Sequence, residues 1–382
     1  MTTRVQHSSV PPPPPIEQRL AELHAQLRED MPAIVRVAIA VYDSQTDLLK
    51  TFTSSDVDKS PLGMHEAKLH TVPSLQQLAE SRADRVINDL GALSDSTTVH
   101  SQAIAGSYAS SYTRPLYDGS HLRGFLFYDA NEKDYFSPIT VHRLQVFSDL
   151  IALLLSSTFF PARMLRSAVH AATYVSHTRD PETGAHLERM ARYARLIALE
   201  LNDTHNLGAA FIEHLLTFAP LHDVGKVGVP DAVLLKSGPL TPEEFIVMRS
   251  HVDKGVQLID ELLESLGMRA LPHVDMLRNI IQCHHEAWDG SGYPHGRIGE
   301  QIPIEARIVT VADVFDALTS DRPYKGPWTI RRTLDYVADQ SGKLFDPQCV
   351  AALQRTLPAV EEVRAAFPDT RIHVREGYTS VL

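Results

Sequence analysis

Between Ile34 and Phe52 apolar and polar positions alternate. Val35, Val37, Ile39 and Val41 share one face, a polar turn runs from Asp43 to Thr46, and Leu48, Lys50 and Phe52 resume the pattern. A period of two broken by a short polar turn predicts an antiparallel hairpin. A second pair of runs, Ser110 to Tyr117 and Leu122 to Tyr128, brackets Asp118-Gly119, a dipeptide that favours a tight turn. With Ile16 to Leu27 as an entry helix, residues 17–157 are expected to form an α+β domain. From Ile139 to Phe159 the apolar period lengthens to three and four, through Leu144, Phe147, Ile151 and Leu155. That spacing predicts an amphipathic connector helix, ending before Pro161. After a linker at 158–172, residues 173–356 are almost wholly helical in pattern, so an all-α bundle is expected there. Loops interrupt it at Asp180 to Gly184, Gly225 to Pro230, Gly290 to Gly299 and Asp321 to Pro327. Residues 1–16, with Pro11 to Pro15, read as a flexible polyproline leader, and 357–382 as a tail with β-like residues at Arg371 to Val374.

Composition narrows the chemistry. The chain has 382 residues, 43% of them hydrophobic and 22% charged, enough apolar material for two cores. A net charge of −11 disfavours a surface for polymeric nucleic acid, which is held by stripes of Lys and Arg. Only Cys283 and Cys349 are available as thiols, too few for a disulfide framework or a thiolate zinc site, and this fits a reducing cytoplasm. Any metal must be held by His and carboxylates. The N-terminus lacks the apolar core of a signal peptide, and the apolar run at Leu150 to Leu155 is shorter than the ~20 residues of a membrane span, so a cytoplasmic protein with no membrane span is expected.

Every chemically suggestive residue lies on or beside the C-terminal loops. His222-Asp223 precedes Val-Gly-Lys226, and an adjacent imidazole and carboxylate can serve neighbouring metals with the carboxylate bridging. Alone the pair is weak evidence. The run His284-His285-Glu-Ala-Trp-Asp289-Gly290-Ser-Gly292-Tyr293-Pro294 is far more specific. Two consecutive histidines at the end of an apolar helix point about 100° apart and can serve two different ions. Gly290 and Gly292 allow a tight loop that presents Tyr293. Asp313 sits on the periodic helix of Ile308, Val311, Phe315 and Leu318, where a carboxylate among apolar neighbours costs several kcal/mol unless paired or bound to an ion.

With the upstream His-Asp pair, this string matches the signature of the HD-GYP family, HHExxDGxGYP, over about half the chain. The order of elements in 17–157 resembles a GAF sensor domain, so the expected architecture is a GAF-like sensor joined by a long helix to an HD-type bundle. The resemblance implies a metal cluster held by Glu182, His186, His222, Asp223, His251, His284, His285 and Asp313, with Asp316 orienting a ligand. Glu182 implies a third ion beside two. A thiolate-free donor set suits Fe or Mn.

It also implies Lys226 and Asp223 as catalytic, and Tyr293, Arg322, Lys325 and Lys226 as contacts to substrate. Two ions lower the pKa of a water and bind a phosphoryl oxygen, which offsets the charge that protects a phosphodiester. The implied substrate is cyclic di-GMP, opened to pGpG or GMP. Hydrolysis of cyclic GMP-AMP and a silent receptor for the dinucleotide stand as alternatives. The connector helix is expected to support a homodimer, and the N-terminal domain to regulate through a sensor ligand the sequence does not identify.

Overall fold

The computed structural model describes residues 14–55, 66–93, 107–176, 184–268, 271–321 and 326–369. The chain forms two compact units, Met1–Phe160 and Pro161–Leu382.

The first unit is built on a sheet of order β3-β2-β1-β6-β5-β4, every neighbour antiparallel. Both expected hairpins are present, β1 (Ile34–Asp43) with β2 (Leu48–Ser54), and β5 (Ser110–Asp118) with β6 (His121–Ala130). Gly119, at φ +59, makes the turn of the second. The short strands β3 (Glu66–Lys68) and β4 (Arg85–Ile87) flank them, and both have too few residues for a period to show in the sequence. Helix α1 (Ile16–Asp30) packs against β1 and β2. Ala38, Ala40, Phe125 and Phe127 bury one sheet face under Val72, Leu75 and Leu78, the last two carried by α2 (Pro73–Ser81). On the other face Tyr128 meets Ser148 of α3 (Pro138–Ser176), hydroxyl to hydroxyl at 3.0 Å.

Helix α3 corrects the expected linker, because it passes through Pro161 without a break. A proline inside a helix costs about 3 kcal/mol, but Leu154 and Phe159 before it and Ala162, Leu165 and Val169 after it are all buried, and that burial outweighs the lost hydrogen bond. The stretch Pro138–Val169 is, by length and composition, apolar enough to cross a bilayer, contrary to the expectation from the run of 150–155 alone. Part of that helix is committed to protein: Leu144, Ile151 and Leu154 are buried, and Asp149 pairs with Arg114 of β5 at 3.1 Å.

The second unit is helical throughout its described residues. Helix α4 (Gly184–His205) runs through its centre, against α5 (Ala209–Phe218) and later partners. Then come α6 (Asp231–Leu234), α7 (Pro242–Arg249), α8 (His251–Ser265), α9 (Val274–Cys283), α10 (Ile304–Thr319), α11 (Ile330–Asp339), α12 (Pro347–Arg355) and α13 (Leu357–Ala366). Their shared core joins Tyr193 and Ile197 of α4 to Phe218, Ile280, Phe315 and Leu353. The tail therefore opens with a helix, and its β-like residues 371–374 lie outside the described residues.

Candidate metal centre

Two backbone devices bring the site together. His222 and Asp223 lead into a 3-10 turn, Val224–Gly228, which presses on α8 where α8 begins with His251. The approach is so close that a Cβ on Gly225 would stand 1.8 Å from the His251 carbonyl oxygen. Only glycine fits there. The second device is the loop after α9. Gly290 adopts φ +84, and a Cβ on Gly292 would lie 2.2 Å from the Ala287 nitrogen, so the loop folds back on the His285–Ala287 backbone. Buried Glu286 fixes the return by accepting from the backbone N–H of His295 and Arg297 at 2.8 and 3.0 Å.

These devices gather two donor groups, Asp223 with His251, His284 and His285, and His186 with His222 and Asp313. Asp223 stands between them. Its Oδ1 lies 3.1 Å from His251 Nε2 and 3.5 Å from His284 Nε2, and its Oδ2 lies 3.2 Å from His222 Nε2 and 2.8 Å from Lys226 Nζ. His186 Nε2 lies 3.5 Å from Asp313 Oδ1.

The tautomers follow from the opposite side of each ring. Nδ1 of His222, His251 and His284 lies 2.8–3.0 Å from the carbonyl oxygens of Ala219, Met248 and Ile280. A carbonyl only accepts, so Nδ1 carries the proton and Nε2 presents its lone pair. Nε2 of His251 and His284 and Oδ1 of Asp223 are buried without a hydrogen-bond partner. Lone pairs thus face a carboxylate oxygen at close range, an arrangement that repels unless cations stand between. The donor set fits divalent ions, and His222, His251 and His284 are held from behind in the way that metal-ligating histidines are held.

Electrostatics agree with this reading. Burial raises the Asp223 pKa, but the Lys226 ammonium 2.8 Å away lowers it, and the carboxyl is held well below the ordinary range. Burial pushes His284 down, and burial with the neighbouring His284 pushes His285 down, so both rings are neutral and able to bind a cation.

Several expectations change. His284 and His285 fall in one donor group rather than two, their ring centroids 4.0 Å apart. Asp313 is only partly buried, with its carboxylate 3.5 Å from His186 Nε2. The fully buried carboxylate of α10 is Asp316, which accepts from His186 Nδ1 at 2.8 Å and so orients that ring. Tyr293 lies at the site, stacked on His285 with centroids 4.6 Å apart. Glu182, Arg322 and Lys325 lie outside the described residues.

The sequence reading missed Arg189, which grips Asp316 with two nitrogens, and half-buried Arg249, whose guanidinium lies 4.2 Å from the centre of the Tyr293 ring. Arg189 sits three residues after His186, one turn along the same face, and that spacing was the available signal. Arg249 stands two residues before His251, where nothing but position marks it.

Residues 176–349 match the family described as HD domain. The cyclic di-GMP phosphodiesterase response regulator RpfG of Xanthomonas campestris pv. campestris (strain 8004) is 47% identical over 189 residues, which are 50% of this chain and 47% of that protein. The 3'3'-cGAMP-specific phosphodiesterase 2 of Vibrio cholerae serotype O1 (strain ATCC 39315 / El Tor Inaba N16961) is 38% identical over 191 residues, 50% of this chain and 34% of that protein. Among solved structures, a GAF domain/HD domain protein from Geobacter sulfurreducens is similar at 16% identity and a TM-score of 0.31, covering 37% of this chain and 93% of that one. The chain spans less than half the length of the curated relatives it matches.

Proposed function

We propose that this HD-domain chain is an HD-GYP phosphodiesterase that hydrolyses cyclic di-GMP. The observation that carries the reading is Asp223, whose two carboxylate oxygens face the two donor groups, each of which presents imidazole lone pairs. His186, His222 and Asp313 would hold one ion and His251, His284 and His285 another, with Asp223 shared. Iron or manganese suits this donor set, since both thiols lie outside it. When bound, the ions would polarise the phosphodiester and acidify a water.

The chain's own residues do the rest. Lys226, 2.8 Å from Asp223, places a cation where negative charge develops on the phosphoryl group. Tyr293 would line the site, its ring held between His285 and Arg249. The relatives' names support a cyclic dinucleotide, and both cyclic di-GMP and 3'3'-cGAMP occur among them. The purified full chain, loaded with Fe or Mn, should convert cyclic di-GMP to pGpG or GMP by chromatography, faster than 3'3'-cGAMP. Asp223→Asn should abolish turnover. Metal-loaded wild type that leaves cyclic di-GMP intact would overturn the reading.

The first unit we read as a cytoplasmic regulatory domain. A cavity between its sheet and α2 is lined by Ala38, Ala40, Ala67 and Phe127, with Arg36 in the wall, ion-paired to Asp129 at 2.6 Å, and it would take a small ligand. Ile139, Val146, Leu153 and Phe160, exposed at seven-residue spacing on α3 with Leu150 between, would pair two copies into a homodimer. Light scattering should give twice the chain mass, and Leu153→Glu should return the monomer.

A further inference from the structure

Beyond the ligands, a chain of charges runs from the site to the C-terminal segment. Arg189 of α4 is buried, and all its donors are engaged. Nε and Nη2 grip Asp316 at 2.7 and 2.8 Å, Nη2 also reaches Ser320 Oγ at 2.7 Å, and Nη1 reaches the Phe367 carbonyl and Asp369 Oδ1, each at 2.8 Å. Asp316 in turn accepts from Nδ1 of His186. Asp369 also accepts from the backbone N–H of Asp321 at 3.2 Å, just past the end of α10. Phe367 lies against the guanidinium of Arg192, 4.7 Å from its ring centre, which fixes the path of this segment.

We propose that Asp369, which follows α13, is a positioning residue for the metal centre, acting through Arg189 and Asp316 on His186. The inference rests on the metal-centre reading above and deepens it. The charges alternate along the chain, carboxylate, guanidinium, carboxylate, imidazole. Asp316 makes His186 a better donor in proportion to the negative charge it presents at Nδ1. Arg189 withdraws part of that charge. Asp369 compensates Arg189, so the Asp369–Arg189–Asp316 set carries one net negative charge, where Arg189 and Asp316 alone would carry none. Without Asp369, Arg189 draws more strongly on Asp316, and the His186 ring loses both basicity and a fixed backing.

The test separates charge from shape. Asp369→Asn keeps size and an acceptor oxygen while removing the charge, and Asp369→Ala removes both. Chelator competition with Mn, well below the unfolding temperature, should show one ion of wild type weakened about tenfold in either variant, at the lower end of the range for partners behind a ligand. Glu200→Ala, at the exposed Arg355–Glu200 pair, should leave affinity unchanged. In the metal-free full chain, the nitrogen resonances of His186 should move in Asp369→Asn while those of His251 and His284 stay. Equal metal affinity in wild type and Asp369→Asn, with only a lower melting temperature, would show that Asp369 merely pins the C-terminal segment. Unmoved His186 resonances would overturn the proposal even if wild type bound no metal. Wild type that bound no metal would separately defeat the reading on which the proposal rests.

Discussion

Burial lowers the pKa of His284, and burial with the proximity of His284 lowers that of His285. A histidine whose folded pKa lies below its unfolded value adds stability above about pH 6.5 and loses it as pH falls, because only the unfolded chain takes up the proton. Asp223, whose folded pKa is also depressed, loses stability in the same direction, but only below about pH 4, where carboxylates titrate in the unfolded chain. Metal-free protein should therefore lose stability as pH falls from 7 to 5. Urea unfolding at both pH values, on wild type and His285→Gln, measures this; a flat profile, or the same slope in the variant, would count against neutral buried rings. The residues that take part were legible in the sequence because the Gly-Tyr-Pro string is specific. Asp313 and Asp316 were harder to rank, since a periodic apolar helix shows that a carboxylate is out of place without showing which one faces the site. Arg189 was missed for a related reason: its spacing from His186 puts it on the same helix face, but on a charged helix that spacing alone does not say which Arg is buried.

At the scale of elements, the site depends on how closely the 3-10 turn Val224–Gly228 can approach α8. A Cβ at Gly225 meets backbone, the His251 oxygen at 1.8 Å and the Gly255 nitrogen at 2.5 Å, which cannot swing aside. A Cβ at Gly255 meets one side-chain methyl, Ile281 Cγ2 at 2.6 Å, and the Gly225 backbone no closer than 3.3 Å, a milder clash than main chain at 1.8 Å. Gly225→Ala should thus destabilise by more than about 3 kcal/mol and separate Asp223 from His251, whereas Gly255→Ala should cost about 1–3 kcal/mol, as overpacking does. Urea midpoints and Mn affinity of the two variants decide it, and equal effects would show that the turn can shift as a body. Such close approaches are invisible in one sequence, where Gly225 reads only as a loop residue. The continuation of α3 through Pro161 was hidden similarly. Proline signals an end locally, and the apolar positions that override it, Ala162, Leu165 and Val169, declare themselves only when packed.

For the molecule as a whole, the apolar period changes from two to nearly four near Ile139, whereas the chain divides into its two units at Phe160, inside α3. The buried helical core joins residues from Ala162 to Val360. Both tryptophans, Trp288 and Trp328, and both thiols lie in this second unit. Cys283 and Cys349 are buried; burial pushes the Cys283 thiol up to about 11 and the Cys349 thiol well above its ordinary range, so neither offers a thiolate at neutral pH. Tryptophan fluorescence and thiol labelling should therefore report unfolding of the second unit alone. A fragment of residues 161–382 should fold, keep its metal, and show the same urea midpoint by fluorescence as the full chain, with two thiols becoming reactive over that same transition. Labelling that runs ahead of the fluorescence change would place a thiol outside the cooperative core. A midpoint that drops sharply in the fragment would mean that the helical core takes part of its stability from residues 1–160, and regulation would then have an energetic route through folding itself.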